Sequence, residues 1–265
     1  MSAENVSSLT ALINAPFVDR KGTCDVHGDY TTTVLVICGK AQPVQCMDCL
    51  QMKIRAEREE EAQRIADEAH GKAKRSRLSK INLPKRMLDK RWSDYSPANA
   101  QAERFLTICK DYATDWQSTR DNGANLIMTG KTGNGKTHLA SVLCKQVAAE
   151  NTAQPLYTTV SAMLRYIRAS FGKGCEYTES QAMARYATAD LLVIDEVGVK
   201  LSSEYDKSTL FEIIDERYQE QLPNVVISNL SVKEIEDHID ARMVDRLSEN
   251  GTLMIFDWAS HRGTS

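Results

Sequence analysis

Gly130-Lys131-Thr132-Gly133-Asn134-Gly135-Lys136-Thr137 is the stretch that decides the fold. It satisfies G-x-x-x-x-G-K-[ST] at every fixed position. An apolar run, 125–129, precedes it, and a helical pattern from 136 to about 150 follows. The glycines let the backbone curl until successive N–H groups point into one concavity, and the helix start adds partial positive charge. Lys136 is placed to reach the β- and γ-phosphates of a nucleotide, and the Thr137 hydroxyl to ligate Mg²⁺. ATP and Mg²⁺ are therefore the expected ligands, held by 130–137. His138, next on the helix, joins the candidate contacts, although packing on the helix is its plainer role.

About 60 residues on, Leu191-Leu192-Val193-Ile194-Asp195-Glu196 reads as a buried strand delivering two carboxylates at its C-terminal end. Ligands bind at that end in open α/β sheets. Asp195 suits the Mg²⁺ shell, and Glu196 suits the general base that polarises an attacking water. A further apolar strand, 224–228, ends in Asn229, which either orients that water or simply opens the loop. Arg242 and Arg246 lie four apart and so share one helix face. They either pair with Asp240, Asp245 and Glu249 or reach a neighbouring protomer's nucleotide.

From about residue 97 onward, apolar strands alternate with helical patterns at 98–117, 136–150, 161–169, 178–188 and 204–220. Ser161 is the expected cap of the third helix, and Ser231 with Glu234 forms a capping box before another. The final strand is expected at 252–256. This pattern predicts an α/β fold, a buried parallel sheet with helices on both faces.

The chain is 42% hydrophobic and 26% charged, which excludes wholesale disorder and collagen-like or coiled-coil fibres. Its longest apolar runs, 33–38 and 191–194, fall far short of the ~20 residues that span a bilayer. The first residues, Met1-Ser2-Ala3-Glu4-Asn5, lack the form of a signal peptide, so a cytoplasmic location is expected. Net charge is −3, yet 72–91 alone carries +8, leaving −11 for the rest. That segment is either a solvated linker or an anion-binding stretch, with single-stranded DNA as one candidate.

Cys24-x-x-His27 and Cys46-x-x-Cys49 are two x₂-spaced pairs, the spacing of a structural zinc ribbon. Cys38 offers a fifth donor for four positions. It continues an apolar strand, which favours Cys24, His27, Cys46 and Cys49, but its exchange with His27 stays open. Residues 51–78 are rich in Glu, Arg, Lys and Ala and read as a solvated helix. The expected division is a zinc-binding module at 1–50, a charged helical linker at 51–82 and an ATPase domain at 83–265.

The order of these motifs continues through Asp240-Ala241-Arg242-Met243-Val244-Asp245-Arg246-Leu247 to Phe256-Asp257-Trp258-Ala259-Ser260-His261-Arg262. It resembles the DnaC-type replicative helicase loaders of the AAA+ class, with the transposition helper ATPase IstB a close relative. Leu83-Pro84-Lys85-Arg86 and Trp92-Ser93-Asp94-Tyr95 look like the start of that ATPase domain, and the likeness covers roughly 80–262. It implies Walker A at Lys136 and Thr137 and Walker B at Asp195 and Glu196. It further implies sensor I at Asn229, an arginine finger at Arg242 with Arg246 beside it, and sensor II at Arg262. Only three residues follow Arg262, so most of the usual helical lid is expected to be missing. The resemblance also implies the partners: the hexameric replicative helicase, single-stranded DNA, and further copies of the chain joined through the finger in trans. A transposition helper and a nucleotide-switched DNA-binding adaptor are the competing functions. The cysteine-bearing N-terminal module departs from the best-known loaders, whose N-terminal region is helical.

Overall fold

The computed structural model describes residues 17–37, 40–41, 45–198, 203–238 and 240–259. The chain divides into two compact units, Met1–Gly71 and Lys72–Ser265.

In the first unit, β1 (Phe17–Cys24) and β2 (Gly28–Ile37) form an antiparallel hairpin, and β3 (Lys40–Ala41) pairs with β2. A three-residue loop, 25–27, closes the hairpin, and Gly28 follows at φ 74°. Glycine adopts that left-handed conformation without steric cost. The strand β1 is a finding that the sequence reading missed. Most of its residues are exposed, so no apolar alternation marks it. Helix α1 (Met47–Lys80) then extends across the division between the units and buries none of its residues, as its thin apolar stripe predicted.

The second unit is the expected parallel sheet. Its strands are β4 (Asn125–Gly130), β5 (Pro155–Thr159), β6 (Leu191–Val197), β7 (Asn224–Ser228) and β8 (Gly251–Phe256). Their order is β5-β6-β7-β4-β8, and every pairing is parallel. Leu191, Val193, Val225 and Met128 face one core with α2 (Ala100–Thr114) and α4 (Lys136–Glu150), while α3 (Trp116–Asp121) adds Trp116. Leu192, Ile194, Val226 and Ile127 face the other core with α5 (Val160–Ala169), α6 (Glu179–Ala187) and α7 (Glu204–Gln219). Ile235 of α8 (Val232–His238) and Met243 of α9 (Ala241–Glu249) complete that second layer.

Two boundaries differ from the sequence reading. Thr159, not Ser161, caps α5: its hydroxyl accepts from the Ala162 N–H at 3.2 Å. The β5 ladder ends with Thr159 opposite Asp195, so the turn comes two residues early. The single helix expected at 98–117 is broken at Asp115, which lets Trp116 enter the core from a new helix.

At the N-terminal end of the sheet, the fully buried Arg217 donates to the carbonyls of Tyr186, Ala187, Ala189 and Pro223 and to Asn224 Oδ1, all within 3.0 Å. Those acceptors satisfy a buried guanidinium and tie α6, α7 and β7 together below the sheet. The opposite, C-terminal end is left for ligands.

Candidate nucleotide and metal sites

The chain leaves β4 at Gly130 (φ 123°) and enters α4 after Gly135 (φ 92°). Neither position tolerates a side chain. A Cβ on Gly130 would lie 2.1 Å from the Phe256 carbonyl oxygen, and one on Gly135 2.4 Å from the Tyr95 ring. Gly135 offers no side-chain cap, so the first-turn N–H groups of α4 remain free donors for an anion. Asn134 is buried and donates to the carbonyls of Phe256 and Trp258 at 2.9 and 2.6 Å, clamping the loop to the end of β8. Asn134 is thereby a structural clamp.

Lys136 folds back so that its ammonium donates to Gly130 O at 2.5 Å and Lys131 O at 2.7 Å. Burial pulls its pKa down to about 8, against the opposing pull of the Asp195 charge. Thr137 donates to Asp195 Oδ2 at 2.9 Å. A hydroxyl and a carboxylate beside free helix-end N–H groups and a buried ammonium form a donor set suited to a phosphate chain with a hard divalent cation.

Beyond Ile194 the register between β6 and β7 shifts, and Glu196 adopts φ 60°. Val197 takes the inward place that strict alternation would give Glu196, and Glu196 is exposed. A non-glycine residue at positive φ is uncommon and clusters at functional sites. The Asp195 carboxylate holds that turn by accepting the Glu196 N–H at 2.7 Å. Ser228 donates to Val197 O at 2.5 Å and accepts from Leu230 N at 3.0 Å, which brings Asn229 to the same mouth.

The resulting cleft encloses about 570 Å³ and is lined by residues 132–138 together with Asp195, Glu196 and Asn229. Arg86, Lys90 and Tyr95 line it as well. Sequence reasoning placed Arg86 and Lys90 in a basic run, and Arg86 also at the start of the ATPase domain, but neither at the nucleotide cleft. The structure sets both beside the phosphate loop, whereas Arg77 of the same run donates to Ala148 O at 2.8 Å. Lys145 of α4 fastens their segment by donating to Met87 O and Leu88 O, at 3.0 and 2.9 Å, and to Lys90 O. His138 lines the cleft but lies with Nε2 3.0 Å from Arg91 O and its ring edge-on to Tyr95. Trp92 is turned away to Gln146 at 2.7 Å.

The arginine candidates lie elsewhere. Arg242 is 69% exposed, holds Asp240 through two contacts at 2.6 and 3.1 Å and lies over the Phe211 ring. Arg246 forms an ion pair with Asp215 of α7 and rests against Phe211 and Tyr218. Both are outside the lining of the chain's own cleft. Arg262 and Cys38 lie outside the described residues.

In the first unit the hairpin tip and the start of α1 bring Cys24, His27, Cys46 and Cys49 together, with one donor atom from each within 4.8 Å of all the others. His27 Nδ1 lies 3.7, 3.5 and 3.3 Å from the sulfurs of Cys24, Cys46 and Cys49, and the Cys24 and Cys49 sulfurs are 3.4 Å apart. Tetrahedral zinc with bonds of roughly 2.0–2.3 Å needs donors about 3.3–3.8 Å apart, so the four residues fit the ion. The His27 and Val26 backbone N–H groups hold the Cys24 thiol down to about 6, and its hydrogen bond to Cys24 pushes Cys49 up to about 12. A dication removes that conflict between neighbouring sulfurs. Cys109 and Cys144 are buried, and burial pushes both thiols up, as expected of inert core residues.

A parallel sheet of this order, with a phosphate loop after β4, two carboxylates near the end of β6 and a polar residue after β7, defines the fold of a P-loop nucleotide-binding protein. The chain belongs to the family of IstB-like ATP binding proteins, whose profile matches residues 34–255. It is 32% identical over 158 residues to the replicative helicase loader DnaC of Escherichia coli strain K12, covering 59% of this chain and 62% of the relative. It is 29% identical over 161 residues to the DnaC of Buchnera aphidicola subsp. Baizongia pistaciae, covering 60% and 64%. The chain thus spans less than two thirds of these relatives' length. Among solved structures, a DnaC helicase loader matches with a TM-score of 0.59 at 18% identity, over 65% of this chain and 99% of that one. AMPPCP-bound DnaA from Aquifex aeolicus matches at 0.54 and 19%, over 66% and 51%. Among the described residues, no helix is long and apolar enough to cross a membrane.

Proposed function

We propose that the chain is an ATP-dependent loader that binds the replicative DNA helicase and delivers it to single-stranded DNA. The observation that carries the reading is the convergence of Lys136, Thr137, Asp195, Glu196 and Asn229 on one cleft, in a chain with DnaC relatives. Lys136 and the free N–H groups of α4 bind the phosphates, and Thr137 and Asp195 hold Mg²⁺. Bound Mg²⁺ neutralises charge on the transferred phosphoryl group. Glu196, set outward by its bulge, accepts a proton from the attacking water, and Asn229 orients that water.

Hydrolysis is slow in the single protomer and is completed on assembly, when Arg242 of one copy reaches the cleft of the next. Arg242 suits this role better than Arg246, because its side chain is 69% exposed and pairs only with Asp240 beside it in sequence, whereas that of Arg246 is 27% exposed and pairs with Asp215 of α7. The proposed division of labour is a zinc module at 1–50 that docks a partner protein or touches DNA, a helical linker at 51–82 and the ATPase at 83–265.

The direct test mixes the purified chain with its own cell's replicative helicase, with and without ATP, and measures complex mass by size exclusion with light scattering. A stoichiometric complex is expected. The family match to IstB-like proteins favours one second reading, a transposition helper. Absence of a complex, with ATPase activity stimulated by double-stranded DNA, would establish that reading instead.

A further inference from the structure

Tyr157 is 1% exposed, and its hydroxyl donates to Asp195 Oδ2 at 2.5 Å. Nothing in the motif reading assigns it a role. It lies on β5, paired with Val193 of β6, while Thr159 pairs with Asp195. Tyr157 and Asp195 therefore share one face of the sheet, two residues apart in register. The Tyr157 backbone is fixed from the far side: its N–H donates to Ile81 O at 2.7 Å, and Asn82 Nδ2 donates to its carbonyl at 3.3 Å.

Asp195 is thereby held at three points. Thr137 and Tyr157 donate to Oδ2, and the Glu196 N–H donates to Oδ1. The two candidate functions of this corner, cation binding through Thr137 and water activation through Glu196, meet at one carboxylate. Thr137 and Glu196 are constrained only while that carboxylate keeps its rotamer. The buried phenol hydroxyl donates to Oδ2 and fixes the rotamer from beneath.

We propose that Tyr157 is a positioning residue of the nucleotide site, acting through Asp195 to set how much Mg²⁺ the site needs to bind nucleotide. The inference rests on the nucleotide-site reading above.

The test compares wild type with Tyr157→Phe in the full chain, alone and in an Asp195→Asn background. Three quantities are measured: melting temperature in EDTA, affinity for a fluorescent ATP analogue in EDTA, and the same affinity across a Mg²⁺ titration. Hydrogen bonds to charged groups support an expected shift of about tenfold in the Mg²⁺ concentration for half-maximal enhancement. EDTA affinity is expected to stay at the wild-type value, and melting in EDTA to fall by no more than a few degrees through the loss of one hydrogen bond. In the Asp195→Asn background the Tyr157→Phe substitution is expected to add nothing. A Mg²⁺ curve superimposable on wild type overturns the proposal, and so does an early-melting variant with unchanged Mg²⁺ dependence. Wild type that binds nucleotide equally with and without Mg²⁺ overturns the site reading itself.

Discussion

The two units solve the problem of stability by different means. The ATPase unit buries two apolar layers on either side of a five-stranded sheet, and its site forms where those strands end. Among the described residues of the first unit, only Val34 and Cys46 are buried. Phe17, Val26, Met47 and Met52 stand exposed there. So small a core does not meet the entropy of ordering a hairpin. The sheet owes its scaffold to its own apolar layers, whereas on the zinc reading the hairpin depends on the metal for its scaffold.

That contrast is broken or sharpened first by removing zinc. Chelation, or the Cys46→Ser/Cys49→Ser pair, is expected to abolish bound metal and protection of hairpin amides from hydrogen exchange, while the ATPase unit keeps its melting transition. Metal analysis and exchange followed by mass spectrometry check this. Zinc content equal to wild type in the double variant would show that the four residues are not the ligands.

Next in size is Glu196→Gln, which leaves the sheet intact and removes the base. Turnover is expected to fall by about 10²–10⁴-fold while ATP binding persists. Steady-state hydrolysis beside equilibrium nucleotide binding reads the split. Unchanged turnover would place the base elsewhere.

Much of this architecture could be read directly from sequence, and the reasons are local. The phosphate loop is contiguous, the strands at 125–129, 191–194 and 224–228 are unbroken apolar runs, and the zinc pairs carry their own spacing. What escaped depends on register. Tyr157 meets Asp195 only because β5 lies beside β6 with Thr159 opposite Asp195, and nothing near Tyr157 in the chain announces that. Arg86 and Lys90 read as two charges in a basic run until the Lys145 contacts fold their segment onto the cleft. The bulge at Glu196 breaks the strand's alternation at the residue proposed as the base.

A smaller effect concerns Lys136. Burial lowers its pKa to about 8 in the free chain, and a bound triphosphate raises it again. Between those two values binding takes up a proton. Affinity for ATP is therefore expected to be flat below pH 8 and to weaken above it, by at most about tenfold per pH unit. Calorimetry in two buffers of different ionisation enthalpy measures the uptake. No uptake at pH 9 would mean that the ammonium is already fully charged in the free site.

The smallest effect separates the two arginines of α9. Arg246 is 27% exposed, paired with Asp215 and packed on two rings, so Arg246→Ala is expected to cost about 1 kcal/mol or less of stability. Arg242→Ala removes a solvent-exposed pair with Asp240 on its own helix end, and no measurable change in melting is expected. If Arg242 completes a neighbour's site, the substitution lowers only the hydrolysis that rises with protein concentration. Mixing Arg242→Ala protomers with Lys136→Ala protomers then restores hydrolysis where an unmodified Arg242 meets a working Lys136. Interfaces that offer the truncated side chain to an intact cleft stay inactive. A fall in melting temperature as large as that of Arg246→Ala would instead show that Arg242 serves its own fold, and the distinction between a self-sufficient sheet and a site finished by a partner would have to be drawn elsewhere.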